Sequence, residues 1–165
     1  MPDVIVIGGG PGGSTAATFL ARRGHSVVLL EREKFPRDHV GESLLPASIP
    51  VLEELGVLQQ IEKENFPKKL GATMVWGNDD KPWSWYFSET NRTYPHSYQV
   101  SRPRFDQILL ENSRSFGVDV REAANVFEVL TDEDSGAVHG VRYRSDEGVV
   151  NALEADFVID ASGQS

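Results

Sequence analysis

Apolar positions open the chain as an unbroken run, Val4-Ile5-Val6-Ile7, that stops at three consecutive glycines. A β-branched run of this kind predicts a parallel strand buried on both faces, because a strand with one wet face alternates apolar and polar residues. The following segment sets Ala16, Ala17, Leu20 and Ala21 at helical spacing, small enough to lie close on a sheet, and stops at Gly24. "HSVVLLE" predicts a second strand, closed by the acid Glu31. Beyond it the pattern loosens. Leu44, Leu45, Ile49, Leu52 and Leu55 approximate helical spacing, with Pro46 and Pro50 as interruptions and Gly56 as the stop.

Strand-like stretches follow at residues 70–77, 83–87 and 97–100. "RPRFDQILLENSRSFG" predicts an amphipathic helix with Phe105, Ile108, Leu109 and Phe116 on one face, Pro103 in its first turn and Gly117 at its close. "VDVREAANVFEVL", "AVHGVRYRS" and "GVVNALEA" predict a strand leading into a three-stranded meander. "DFVIDASG" predicts a further buried strand ending in a small-residue turn. The fold class is α/β.

Composition removes several functions. A length of 165 residues is enough for one domain with a real core. The net charge of −9 argues against nucleic-acid phosphates and anionic membrane surfaces as partners. No apolar run is long enough to cross a bilayer, and the first one is too short and too glycine-rich for a signal peptide. The absence of cysteine excludes disulfides, a thiolate nucleophile and Cys-ligated metals. No His/Asp/Glu set has metal spacing, so no metal is expected. A cytoplasmic location is the simplest reading.

The strongest chemical signal is Gly8-x-Gly10-x-x-Gly13 between the first strand and its helix. Gly8 permits the turn, Gly10 lets a pyrophosphate approach the backbone, and Gly13 lets helix and strand lie close. The helix N-terminus offers free N–H groups and the positive end of its dipole to the phosphates. Glu31, at the end of the next strand, can accept hydrogen bonds from a ribose diol and disfavours a 2′-phosphate. Strand, turn, helix, strand and acid together predict a Rossmann-like fold carrying an adenine dinucleotide.

Five segments carry a family likeness: "GGGPGGSTAA", Glu31-Arg32, "FPRDHVGESLLP", "VSRPRFDQILLE" and the closing "DASG". With them the chain resembles the FAD-binding half of glutathione-reductase-type flavoproteins, and within these the flavin-dependent halogenases acting on pyrrole or phenol rings. The resemblance implies FAD, used as FADH2, at Gly8, Gly10, Gly12, Gly13 and Ser14 around the pyrophosphate. It implies Glu31 on the adenosine ribose, Arg32 at the adenine end, and the Val126 backbone meeting adenine. It also implies Ser43 approaching the flavin from the "GES" strap, with His39 nearby, Arg102 reaching the phosphates, and Asp160 closing the strand beside the first. Read without the resemblance, Arg102 serves equally well as a residue that caps or solvates its helix, Asp160 as a turn former, and Glu42 as a helix-start residue.

"NFPKKLGATMVWG" places two lysines at the head of a strand. Alternation puts Lys68, Leu70, Ala72, Met74 and Trp76 on one apolar face, and Lys69, Gly71, Thr73, Val75 and Gly77 on a small-residue face that leaves open space beside Lys69. From the residues alone a surface lysine is the better reading. The resemblance of the "KxGA" register to the halogenases selects Lys69 as the essential lysine. It implies that hypochlorous acid, formed from FADH2, oxygen and chloride, is held by Lys69 or carried on it as a chloramine, beside an electron-rich ring.

"WSWYF" is similar to the halogenase W-x-W-x-I-P signature but lacks Ile-Pro and falls earlier. Trp83 and Trp85 are read as one strand face, either core or a wall of the substrate region. The resemblance further implies a separate reductase supplying FADH2 and a small aromatic substrate, free or on a carrier protein. Residues about 66–100 would contribute to the substrate-side sheet, with residues 1–165 as the N-terminal FAD-binding domain of a longer enzyme. The chain alone is then expected to bind FAD weakly or not at all, to be inactive, and to self-associate through an open edge at residues 157–160. An aromatic hydroxylase or a geranylgeranyl-reductase-like oxidoreductase is the alternative on the same scaffold, and there Lys69 is incidental.

Overall fold

The computed structural model describes residues 1–77 and 81–164. In chain order the elements are β1 (Val4–Ile7), α1 (Pro11–Arg22), β2 (Val27–Leu30), α2 (Ser48–Leu55), α3 (Leu58–Lys63), β3 (Lys68–Lys69), β4 (Gly71–Met74) and β5 (Trp83–Tyr86). There follow α4 (Phe87–Thr90), β6 (Ser97–Tyr98), α5 (Arg102–Ser115), β7 (Asp119–Arg121), β8 (Asn125–Thr131), β9 (Val138–Arg144), β10 (Val150–Glu154) and β11 (Phe157–Asp160). The chain divides into two compact units, Met1–Asp38 with the chain from Asp106 onward, and His39–Phe105.

The first unit contains a parallel sheet in the order β11-β1-β2-β7. Its two central strands are apolar throughout because both sheet faces are covered. On one face Val4, Val6, Val27 and Leu29 meet Ala17 of α1, Leu110 of α5 and Val118. On the other, Ile5, Val28 and Leu30 meet Ala124, Val141, Tyr143 and Ala155, all four from the meander and its flanks. Strands β8, β9 and β10 form that antiparallel meander, in the order β10-β9-β8. Burial of β1 and β2 on two sides is what an unbroken β-branched run requires.

The predicted strand of residues 157–160 is β11, paired in parallel with β1, but it is not buried: it lies at the edge of the sheet, with Phe157 70% exposed. The glycines expected to stop helices, Gly24, Gly56 and Gly117, all have positive φ (91°, 79° and 88°). Phe116 departs from its predicted place: it follows α5, is 44% exposed, and lies under the Arg22 guanidinium instead of joining Phe105, Ile108 and Leu109 in the interior.

The second unit is built from short elements. Helix α2 buries Ile49, Leu52 and Leu55. Pro50 does not interrupt it, because the proline lies within the first turn, where its missing N–H has no helical partner to lose. Leu44 and Leu45 precede the helix. The predicted strand over residues 68–77 is broken at Leu70, because its halves have different partners: β3 pairs with β6 and β4 with β5. Its supposed apolar face is uncovered, with Leu70 57% and Trp76 83% exposed. Residues 97–100 are split likewise: β6 ends at Tyr98, Gln99 bridges to Ser43, and the Val100 amide donates to the Glu42 carbonyl.

Leu110 is fully buried against the central strands. Leu110→Ala is expected to destabilise the fold by about 2–5 kcal/mol, through lost burial and the cavity left behind. Denaturant unfolding checks this as a lowered midpoint at unchanged slope.

Candidate functional site

In the first unit the chain leaves β1 through Gly8 at φ +99°, a conformation that side chains resist. The Gly8 amide donates to the Leu30 carbonyl (2.8 Å), and the Ala161 amide to the Ile7 carbonyl (2.9 Å), so both neighbouring strands hold the turn. A Cβ on Gly13 would fall 1.9 Å from the Gly8 oxygen, which leaves no room for any side chain. Helix and strand therefore touch as the third glycine of the motif predicts.

Helix α1 begins at Pro11 with Gly10 as its N-cap and no side chain capping it. A Cβ at Gly12 would meet nothing within 4 Å among the described residues, and one at Gly10 would meet only Arg37 Nη2, at 3.5 Å. The first turn of the helix thus presents uncapped backbone to open space. Ser14 lies inside the turn rather than over it: its hydroxyl donates to the Gly9 carbonyl (2.8 Å), its amide to the Gly10 carbonyl (2.9 Å), and it is fully buried.

Glu31 is 4% exposed and aimed at this turn. Its Oε2 accepts the Gly9 amide proton (2.6 Å) and its Oε1 that of Glu33 (2.8 Å). Each oxygen keeps a further lone pair. Asp160, opposite Ile7 on the other flank of β1, accepts the Ser162 amide (2.9 Å). The hydroxyl and amide of Ser162 hold its carboxyl below the usual range. Arg32 is exposed beside Glu33 (3.6 Å), and Val126 lies at the start of β8 opposite Tyr143.

Sequence reasoning missed three residues of this turn. Gly9 binds Glu31 through its amide. Arg37, inside the quoted "FPRDH", and Asp106, inside "VSRPRFD", form a buried ion pair at 3.4 Å. Only the pairing of Arg37 with Asp106 across a long sequence interval would have marked them, and nothing local does so.

The second unit brings two predicted residues together. Lys69 Nζ donates to Ser43 Oγ (2.6 Å), approaches the Leu44 carbonyl (3.5 Å), and stands 5.4 Å from the Phe87 ring centroid. All three partners are neutral. Lys69 is half-buried and Lys68 exposed, as alternation predicts. The open space expected beside Lys69 at Gly71 is absent: a Cβ there would fall 2.2 Å from the Trp85 carbonyl, because β5 lies against it. What surrounds Lys69 is the strap at Ser43 and Leu44. Arg102, 8% exposed, donates to the Val40 carbonyl (2.7 Å) and lies 3.3 Å from His39 Nδ1, so it holds the same strap. Glu42 starts no helix, and its carboxyl is held low by its own and the Gly41 backbone amides. Among the described residues no group of His, Asp and Glu is placed to hold a metal.

A parallel sheet feeding a glycine turn into an uncapped helix, with an acid from the next strand on that turn, defines a dinucleotide-binding fold. Its open cradle at Gly10 and Gly12 fits a pyrophosphate. The chain belongs to the FAD binding domain family, whose model matches residues 1–165. It is 37% identical over 162 residues to a tryptophan 2-halogenase of Chondromyces crocatus, covering 98% of this chain and 30% of that protein. It is 35% identical over 182 residues to a 1H-pyrrole-2-carbonyl-[peptidyl-carrier protein] chlorinase of Pseudomonas fluorescens, covering 99% and 39%. The solved structure of the myxobacterial chondrochloren halogenase CndH, a variant FAD-dependent halogenase, superposes with a TM-score of 0.91 at 49% identity, over 98% of this chain and 37% of that one. The chain thus spans between 30% and 39% of the length of these relatives.

Glutamine in place of Glu31 offers one acceptor where two amides converge, and its NH2 would face a donor. Glu31→Gln is expected to cost about 1–3 kcal/mol of stability. Equilibrium unfolding of the two proteins at neutral pH measures it.

Proposed function

We propose that the chain is the FAD-binding part of a flavin-dependent halogenase acting on an electron-rich aromatic ring, a pyrrole or phenol, free or carried on a peptidyl-carrier protein. The observation that carries this reading is the half-buried Lys69, held by neutral partners on the strap, in a chain so similar to halogenases. A separate flavin reductase is proposed to supply the reduced cofactor, and residues about 66–100 to contribute to the substrate side.

Gly8, Gly10, Gly12 and Gly13 would hold the pyrophosphate, with Ser14 fixing the turn beneath it. Glu31 would bind the ribose through its remaining lone pairs, Arg32 would meet the adenine end, and the Val126 backbone the adenine edge. Ser43 and Arg102 would shape the strap toward the flavin, and Asp160 would close the neighbouring strand. Bound and reduced, FAD supplies the two electrons with which oxygen and chloride become hypochlorous acid and water. Lys69 then donates a hydrogen bond to the hypochlorous acid and fixes it beside one ring position, with the Phe87 ring limiting its contact with water. The ring takes chlorine and loses a proton, and water leaves.

In the full-length protein supplied with FADH2, oxygen and chloride, Lys69→Ala is expected to lower halogenation at least about 100-fold while flavin oxidation continues. Chromatography of the aromatic product, run alongside oxygen consumption, checks both. Halogenation at the wild-type rate in this variant would remove Lys69 from the mechanism.

A further inference from the structure

Ser97 is fully buried, and its Oγ has no hydrogen-bond partner. A hydroxyl shut away from water without a partner is uncommon in a native fold, because nothing replaces its lost hydration. In the ladder of β3 and β6, Lys69 stands directly opposite Ser97. Opposed residues of an antiparallel pair project from the same face, their Cβ atoms about 4.5–5.5 Å apart. On the far edge of β6, Ser43 bridges antiparallel to Gln99, two residues on from Ser97 and so on that same face. Lys69 nevertheless bonds Ser43 Oγ, at 2.6 Å. Its stem therefore passes over β6, on the face from which the idle Ser97 hydroxyl projects.

The ammonium has three donors on a flexible stem. Besides Ser43 it meets the Leu44 carbonyl only at 3.5 Å. Ser43 is exposed, so water can take the place of Lys69 there. Ser97 has no water to turn to. Drawing the ammonium back across β6 leaves Ser43 solvated and satisfies Ser97, and against this stands the desolvation of a charge.

We infer that Ser97 is a positioning residue for Lys69, its buried hydroxyl a second seat for an ammonium that moves between the strap and the face of β6. The inference rests on the reading of Lys69 as the halogenating lysine. On the strap, one N–H is committed to Ser43 and the ammonium is drawn to the far edge of β6. On Ser97 a single N–H is committed, and two are left for the oxygen of hypochlorous acid. The hydroxyl thereby sets where the oxidant is held and how much of it escapes before meeting the ring.

The test uses full-length wild type, Ser97→Ala and Ser97→Thr with FADH2, oxygen, chloride and a pyrrole or phenol that the wild type chlorinates. It measures ring product per oxygen consumed, hypochlorous acid trapped by added taurine, and the unfolding midpoint. Ser97→Ala is expected to lower product per oxygen about tenfold, as for a lost hydrogen bond to a charged group, and to raise trapped oxidant. Oxygen consumption and midpoint are expected to hold, since the lost hydroxyl bonds nothing in the resting fold. A merely structural role would move those two and leave the partition alone. Ser97→Thr keeps the hydroxyl and is expected to restore the partition; should it not fold for want of room, Ser97→Ala decides. Product per oxygen unchanged in Ser97→Ala, or lowered as far in a folded Ser97→Thr, would overturn the inference and leave Lys69 standing. So would a Ser97→Ala protein that does not fold. Wild-type protein that consumes oxygen yet halogenates no ring would bring down both readings.

Discussion

The contact between Gly13 and the Gly8 carbonyl governs this structure. A hydrogen is all that the α-carbon of Gly13 can carry on the side facing β1. That closeness sets the N-terminus of α1 directly over the end of the central strand. The strands on either side of β1 then end at the same level, at Leu30 on one flank, with Glu31 the next residue, and at Asp160 on the other. An uncapped helix, a carboxylate pinned to the turn by the Gly9 amide, and a turn of small residues are the parts of one cradle. They come from separate places in the sequence and meet because the sheet is parallel.

The two carboxylates differ in kind. Glu31 is buried and bound by two backbone amides, so it stiffens the turn. Asp160 is bound by its own following turn and stays ionised through ordinary pH. Lys69 shows a third arrangement, an ammonium among neutral partners. A lysine paired with a carboxylate would have its charge cancelled locally. Lys69 instead meets a hydroxyl and a carbonyl and stands near a ring.

Much of the fold was legible because the pattern of its sheet is extreme. Unbroken apolar runs at Val4–Ile7 and Val27–Leu30 admit few arrangements other than strands covered on both sides. The glycine spacing then specifies what joins the first of them to its helix. The second unit was read less well. Its strands are two to four residues long, too short for periodicity to locate their ends, and Leu70 and Trp76 stay exposed although their spacing suggested a buried face. Nothing local distinguishes an apolar residue that will be covered from one that will not.

From the sequence alone came the parallel α/β core, the glycine turn with its acid, and the alternation that exposes Lys68 and half-buries Lys69. Each depends on spacing within a few residues, where chain geometry is nearly fixed. Only the tertiary structure joined Lys69 to Ser43, turned Ser14 inward, closed the space at Gly71 with the backbone of β5, and set Arg37 against Asp106. Those outcomes depend on which distant segments become neighbours, and burial and hydrogen bonding summed over the whole fold decide that.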